Sequence, residues 1–213
     1  MRITKHGHAC VRIEHGGTTV VVDPGMFTDP AALAGADAVL ITHEHMDHFE
    51  ESRLRAALEA DPALRVWTNS AVAAQLEGVG QRVTAVGEGD AFEVGGIAVS
   101  AHGEWHAEIH PDLPPVKNIG FLFDGRVFHP GDSFTLPPHA VDTLLLPLAA
   151  PWSKLAETVD YLREARPRQA VPVHEAVLSP IGVSVYTRLA GPEGLCAGIG
   201  LAVLGEGEGI ELD

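Results

Sequence analysis

The octet Thr42–Phe49 constrains this chain more than any other stretch, because it packs three histidines and two acidic residues into eight positions. It follows the apolar run Ala38–Ile41, which is short, partly β-branched and bounded by turn-forming residues. Such a run is typical of a buried strand. The ligand-type side chains therefore lie in a loop at the carboxyl end of a strand, where open α/β sheets place their binding sites.

The spacing inside the octet indicates a metal site. His43 and His45 lie two residues apart, so in extended backbone both imidazoles point to the same side and can bind one ion. Asp47 and His48 follow and can face a second ion beside the first. Imidazole and carboxylate ligands suit zinc, with manganese or iron as alternatives. A surface histidine cluster or an acidic first turn of a helix would explain a single His-x-His pair, but the longer pattern after a buried strand favours metal binding.

A second histidine-rich loop follows the strand predicted for residues 97–101. His102 lies almost on that strand, and His110 precedes a proline, which restricts it to extended backbone. His106 lies between them, after Gly103 has given the chain freedom to turn. We therefore expect His106 to complete the metal site, with His110 as a substitute ligand or a residue of the substrate pocket and His102 as a third alternative.

Ligand-type residues also stand at three other predicted strand ends. Asp132 lies in a tight turn after a short strand, and His174 directly follows a later one. Asp23 ends an early strand, where it can form a turn or orient the metal loop by hydrogen bonding. His6 and His8 form another His-x-His pair, but they lie on or beside the first strand without a carboxylate nearby. We expect neither to bind metal.

The pattern His-x-His-x-Asp-His resembles the signature of the metallo-β-lactamase superfamily, and the resemblance runs along nearly the whole chain. It implies an α/β fold, a four-layer αββα sandwich of two mixed sheets with helices outside. It also implies that an acidic residue after the early strand orients the metal loop, and that the site is dinuclear. The ligands that it implies are His43, His45 and His106 for the first ion, Asp47, His48 and His174 for the second, and Asp132 as the bridge.

The turn of residues 129–132, His-Pro-Gly-Asp, resembles the ascorbate-phosphate lactonase branch of that superfamily. There His129 would be a pocket residue, with simple packing as the alternative. Residues 147–152 depart from that branch, which has a Gly-rich segment at this place. Trp152 can contact substrate or pack at the start of a helix, for which we expect Ser153 as the N-cap.

Two parts of the chain, about half its length apart, share one pattern. In each, a strand-turn-strand unit ends in an aspartate, Asp23 or Asp132, and a buried strand follows within residues 36–41 or 141–146. We infer two similar halves that face each other, with ligand-type residues from both meeting at the seam.

Composition limits both fold and function. The 213 residues, 46% of them hydrophobic, fit one domain, 1–213, with an ample core. The net charge of −15 argues against nucleic acid or an acidic membrane as the main partner, because phosphates would be repelled. Cys10 and Cys196 are expected to be reduced rather than bridged. The N-terminus lacks the apolar core of a signal peptide and no run is long enough to span a bilayer, so we expect a cytoplasmic protein. The oligomeric state stays open.

We therefore interpret the chain as a metal-dependent hydrolase in which a hydroxide bridging two divalent metal ions attacks a small-molecule ester, lactone or phosphoester. Asp132 could orient the hydroxide and carry a proton to the leaving group, and Asp47 is the second catalytic candidate. Three alternatives remain. A nuclease or phosphodiesterase of the same superfamily would need a basic track, and a redox member would need a flavin domain or partner. A non-catalytic metal-binding protein would lack some of the seven ligands, all of which have suitable residues here.

Overall fold

The computed structural model describes residues 1–213 as fourteen strands and four α-helices, with two short 3-10 helices at Pro30–Leu33 and Gly80–Arg82. The strands are β1 (Arg2–Lys5), β2 (Val11–His15), β3 (Thr18–Val22), β4 (Ala38–Ile41), β5 (Arg65–Thr68), β6 (Val83–Ala85), β7 (Ala91–Val94), β8 (Ile97–His102), β9 (Gly120–Phe123), β10 (Val127–His129), β11 (Thr143–Pro147), β12 (Gln169–Val173), β13 (Gly200–Leu201) and β14 (Gly209–Glu211). The helices are α1 (Glu51–Ala60), α2 (Ser70–Gln75), α3 (Leu155–Ala165) and α4 (Pro180–Ala190).

The strands form two mixed sheets of seven. The first has the order β14-β1-β2-β3-β4-β5-β6 and the second the order β13-β12-β11-β10-β9-β8-β7. In the first sheet the β2–β3 hairpin is antiparallel and β4 joins β3 in parallel. In the second sheet the β9–β10 hairpin is antiparallel and β11 joins β10 in parallel. The repeated pattern inferred from the sequence is therefore confirmed as one topological unit in each sheet.

Alternating side chains pack the sheets against each other and against the helices. In β3, Val20 and Val22 belong to the central core between the sheets, whereas Val21 faces the core under α1 and α2. In β9, Phe121 and Phe123 belong to the same central core, whereas Leu122 faces the core that includes α3. Because successive side chains of a strand point to opposite faces, each sheet buries both faces. The result is the predicted four-layer αββα sandwich.

Local details differ from the prediction at one helix start. Ser153 was expected to cap α3, but the helix begins at Leu155, and Lys154 is its N-cap, with the backbone N–H donated to the Glu157 side chain at 2.8 Å. The Ser153 hydroxyl instead bonds the backbone of Ala150. The serine thus stabilises the turn that presents Trp152, one residue before it.

Two further findings concern thiols and helix length. Cys10 and Cys196 are both free and buried, in cores on opposite outer sides of the sandwich. No helix combines the length and the apolarity that crossing a membrane requires.

Candidate metal centre

Ligand-type side chains from both sheets converge at one edge of the sandwich. The octet follows β4 in the first sheet, and the loops after β8, β10 and β12 reach the same place from the second. The ligand atoms form two groups, each within 4.8 Å: His43, His45, His106 and Asp132 in the first, and His8, Asp47, His48 and His174 in the second. All seven residues implied by the resemblance lie in these groups, together with one histidine that the sequence analysis set aside.

Asp132 lies between the two groups. Its Oδ1 is 3.2 Å from Nε2 of His48, and its Oδ2 is 3.3 Å from Nε2 of His106 and 3.1 Å from Nε2 of His174. Gly131 gives the turn the positive φ of 64° that this position needs, and a Cβ there would lie 2.3 Å from the Asn118 side chain. One buried carboxylate therefore faces histidines of both groups.

Hydrogen bonds at Nδ1 determine which ring nitrogen faces the centre. His48 Nδ1 lies 2.8 Å from the Asp23 carboxylate, and His174 Nδ1 lies 2.8 Å from the carbonyl oxygen of Ala149. Neither oxygen can donate, so each Nδ1 carries the proton. Each ring therefore presents Nε2 toward Asp132, and Nε2 is the atom that can bind an ion when the ring is neutral.

The first group follows the same rule. The Thr42 hydroxyl donates to Asp23 at 2.8 Å, so it accepts from Nδ1 of His43 at 2.9 Å. His106 donates from Nδ1 to the carbonyl of Ala107 in a short contact. Both rings thus keep their Nε2 lone pairs for the centre, and Nε2 of His43 lies 3.1 Å from Nδ1 of the neighbouring His45.

Several of these buried atoms lack a hydrogen-bond partner. They are Nε2 of His48, His106 and His174 and Oδ1 of Asp132. Buried polar atoms without partners are costly, and their presence calls for a physical explanation. Imidazole Nε2 atoms and carboxylate oxygens that converge on one centre fit a divalent cation such as zinc, which displaces any protons that these groups carry. The residues present therefore fit the metal that the sequence predicted.

Charge within the centre follows from the same contacts. Burial alone would raise the pKa of Asp132, but His48, His106 and His174 hold it well below its usual range, so it is a carboxylate. Burial likewise opposes the lowered pKa of Asp47, which results from His174 and His8. For His43, burial lowers the pKa well below the ordinary value, and this keeps the ring neutral. The two carboxylates, Asp132 and Asp47, bring to the centre the negative charge that a bound cation requires.

Asp23 holds the start of the octet, as expected. Its fully buried carboxylate accepts hydrogen bonds from the backbone N–H and the hydroxyl of Thr42, both at 2.8 Å, and from His48. Asp23 itself has a φ of 50°, an uncommon conformation for a residue with a side chain. An unfavourable backbone conformation persists only where surrounding contacts maintain it. At Asp23 those contacts are the three hydrogen bonds to its carboxylate.

His129 does not line a pocket, which corrects the first of the two roles considered for it. The ring is 1% exposed, accepts the Gly131 N–H at 3.0 Å and lies 3.5 Å from Asp23. Its Nε2 faces the carbonyl of Ala9 at 3.4 Å. His129 therefore packs behind Asp23 and supports the turn of Asp132.

The three histidines of the second loop occupy different positions relative to the centre. His106 lies in the first group, whereas the side chain of His110 is 62% exposed and bonds within its own loop to Asp112. His102 remains on β8, with Nε2 2.8 Å from the Ser100 hydroxyl. Only His106 of the three contacts the other ligand-type residues.

Trp152 reaches the centre. Its Nε1 donates to Asp132 Oδ2 at 2.8 Å, and its ring stands edge-on to His106 at 5.8 Å and to Phe134 at 5.1 Å. A cavity of about 270 Å³ opens beside His106 and is lined by the loop of residues 106–116, including Ile109 and Leu113. Trp152 thus contacts the carboxylate of the centre.

His8 is the residue that the sequence analysis missed. Its ring is 1% exposed, and Nε2 lies 3.3 Å from Oδ2 of Asp47. The sequence feature that could have indicated this position is Gly7. Its φ of 117° turns the chain out of β1, and a Cβ added there would lie 2.3 Å from the Phe27 carbonyl oxygen. A glycine between two histidines ended the strand pattern and sent His8 inward.

Most of the chain also matches known proteins: residues 2–174 fit the family model of the beta-lactamase superfamily domain. A Mycobacterium tuberculosis protein is 40% identical over 192 residues, which cover 87% of this chain and 89% of that protein. A Thermus thermophilus protein named as a UPF0173 metal-dependent hydrolase is 28% identical over 191 residues, 82% of this chain and 84% of its own. The solved structure of a metallo hydrolase from Ignicoccus hospitalis has the same fold, with a TM-score of 0.77 at 20% identity over 100% of this chain and 99% of that one.

Proposed function

The chain belongs to the beta-lactamase superfamily and is a metal-dependent hydrolase, and from this premise we propose that it binds two divalent ions, zinc first among them, and hydrolyses a small, neutral ester or lactone. The observation that carries the proposal is the position of Asp132. Its two carboxylate oxygens face histidines of both ligand groups at 3.1–3.3 Å. A carboxylate in that position can bridge two ions.

Seven residues would hold the ions in this proposal. They are His43, His45 and His106 for the first ion, Asp47, His48 and His174 for the second, and Asp132 between them. When bound, the two ions supply an acidified water as nucleophile and polarise the oxygen of the bond that is attacked. No serine or cysteine nucleophile is needed, and both cysteines are buried in the outer cores of the sandwich.

The two aspartates have separate tasks. Asp132 is buried and oriented by the Trp152 N–H, so it can hold the attacking water by accepting a hydrogen bond from it. The side chain of Asp47 is 21% exposed, which makes it the more open of the two acids. A carboxylate at the edge of the centre can pass a proton to the leaving group or to solvent.

The surroundings of the centre favour an apolar, uncharged substrate. Met26, Phe27 and Met46 are about half exposed, and the backbone N–H of Met26 bonds the Met46 carbonyl at 2.8 Å. The Phe27 ring packs edge-on against His8 at 5.6 Å. Large apolar side chains grouped in solvent commonly mark a binding surface. With a net charge of −15, the protein would repel an anionic phosphoester more than a neutral carboxylic ester or lactone.

The nuclease alternative lacks support on the surface near the site. Lys117 pairs with Glu104 and lies 3.6 Å above the Trp105 ring, so its charge is already partnered. A nucleic acid needs several unpaired cations along a groove. The resemblance to the lactonase-like branch stays a prediction.

The test uses the zinc-loaded enzyme and a panel of neutral alkyl esters, lactones and phosphodiesters. We expect two ions per chain, turnover of a neutral ester or lactone, and loss of turnover on chelation. Asp132→Ala should lower turnover at least about 100-fold and weaken ion binding, since one carboxylate serves both ions. Asp160→Ala, an exposed acid on α3, is the matched control and should behave as wild type. Fewer than one ion per chain, or turnover of phosphodiesters alone, would overturn the proposal.

A further inference from the structure

We propose that His8 is a positioning residue that orients Asp47 and His174 without binding an ion itself. The inference rests on the ligand roles proposed above for Asp47 and His174. Distance alone would group His8 with the ligands, because its Nε2 lies as close to Asp47 as that of His174 does, 3.3 Å against 3.4 Å. The hydrogen bonds of the ring separate the two histidines.

His8 is fixed to the turn after β12 at two points. Its carbonyl accepts the backbone N–H of His174 at 2.8 Å, and its ring Nδ1 accepts the backbone N–H of Ala176 at 3.2 Å. The two imidazole rings lie 3.9 Å apart, centroid to centroid. His174 has a φ of 62°, so this turn holds an unfavourable backbone conformation that external contacts must maintain.

The bond from Ala176 assigns the tautomer of His8. A nitrogen that accepts a hydrogen bond carries no proton, so in the neutral ring the proton is on Nε2. His48 and His174 are the opposite case, because each donates from Nδ1, so that Nε2 is the atom that binds an ion once the ring is neutral. His8 therefore presents an N–H, not a lone pair, toward the centre. To bind an ion through Nε2 it would have to lose that proton or break the bond to Ala176.

The N–H of His8 faces the carboxylate of Asp47. Nε2 is buried, has no other hydrogen-bond partner and lies 3.3 Å from Oδ2. A small rotation of the carboxylate completes a hydrogen bond from the ring, which leaves the other oxygen, Oδ1, for an ion. His8 thus joins Asp47, from the octet of the first sheet, to His174, from the second sheet. Partners of ligand side chains that act in this way fix ligand orientation and raise metal affinity.

The tautomer can be measured directly in the metal-free protein. Long-range proton–nitrogen NMR of ¹⁵N-histidine protein distinguishes rings that carry the proton on Nε2 from rings that carry it on Nδ1. We expect the signals that disappear in His8→Gln to be those of an Nε2–H ring. An Nδ1–H ring at this position would overturn the inference. This measurement needs no bound ion, so it stands even if the wild type binds fewer than two ions and the proposed function fails.

The second measurement is zinc affinity, site by site, in two variants. His8→Ala removes the donor and should weaken one of the two ions about 10–100-fold while leaving the other unchanged. His8→Gln replaces Nε2–H with an amide N–H at a similar reach and should restore affinity to near the wild-type value. His6→Ala, two residues earlier and half-buried, is the matched control.

Cobalt-substituted protein gives the readout that a merely structural role would not change. The visible absorption of bound Co²⁺ reports its ligands, so His8→Gln should have the wild-type spectrum if His8 is outside the coordination sphere. Loss of an ion or a changed spectrum in a folded His8→Gln variant would identify His8 as a ligand and overturn the proposal. Wild-type affinity for both ions in His8→Ala would overturn it as well.

Discussion

The indole N–H of Trp152 donates a hydrogen bond of 2.8 Å to Oδ2 of Asp132, the carboxylate that faces histidines of both ligand groups. Trp152 comes from the segment between β11 and α3, and Asp132 from the turn after β10. The bond leaves Oδ1 of Asp132 without a hydrogen-bond partner and near His48. One tryptophan therefore sets the rotation of the carboxylate that faces two sites.

We expect Trp152→Phe to weaken metal binding about 10–100-fold at both sites, because the ring keeps its packing but loses the N–H that orients Asp132. Isothermal titration of the metal-free variant with zinc measures this. Trp105→Phe is the control, since Trp105 is exposed and packs on Lys117. Equal affinities for wild type and Trp152→Phe would show that the bond does not orient the carboxylate.

We expect Asp23→Asn to destabilise the fold and weaken the second ion site. An asparagine amide cannot accept from both Thr42 and His48 with the geometry of the carboxylate, so at least one buried donor loses its partner. A buried donor without a partner costs about 1–3 kcal/mol of unfolding free energy. Urea unfolding of the metal-free protein gives the first effect and zinc titration the second. Asp37→Asn is the control, because Asp37 accepts a more exposed hydrogen bond from the Thr19 N–H. If Asp23→Asn lowers the free energy of unfolding less than Asp37→Asn does, the prediction is wrong.

Replacing the histidines of the second loop one at a time tests the choice among them. His106→Ala should lose one ion, because its Nε2 faces Asp132 and has no hydrogen-bond partner. His110→Ala and His102→Ala should keep both, since neither ring belongs to a ligand group. Elemental analysis of dialysed protein decides it. If His106→Ala keeps two ions and either His110→Ala or His102→Ala keeps only one, the histidine replaced in that second variant is the ligand.

Metal affinity should rise with pH through the neutral range. In the metal-free protein, burial opposes protonation of His174, but the Asp132 and Asp47 carboxylates outweigh it and raise its pKa to about 9. The Asp132 and Asp23 carboxylates likewise raise the pKa of His48 above its ordinary value, against burial. Protons on these rings stabilise the metal-free state below those pKa values, so an ion must displace them.

Each displaced proton should raise the affinity about tenfold per pH unit until the pH passes the pKa of the ring. Zinc titrations between about pH 6 and about pH 9 in two buffers of different ionisation enthalpy count the released protons. A flat affinity with no proton release would mean that both rings are already neutral in the metal-free protein.

The family resemblance implied the sandwich that the structure shows, and the seven candidate ligands could be located in the sequence because their signals are local. The octet is contiguous, β4 was predicted at its observed bounds, and each remaining candidate directly follows a strand or lies in a loop after one. Residues that act through long-range contacts were harder. His8 and Ala176 are 168 positions apart, and no sequence pattern in either segment predicts the hydrogen bond between them. The roles of His129 and Trp152 stayed open for the same reason, since each depends on which neighbour the fold brings to it.

The octet has a consequence for the unfolded chain. His43, His45, Asp47 and His48 remain neighbours in sequence after the two sheets separate, whereas His106, Asp132 and His174 disperse. A denatured chain can therefore still chelate one ion through the octet. Any affinity of the denatured state for the metal subtracts from the stabilisation that binding confers. Zinc should accordingly raise the melting temperature by less than its affinity for the native protein implies. A chelator added before refolding should remove the ion from the octet of the denatured chain, so that the octet can fold.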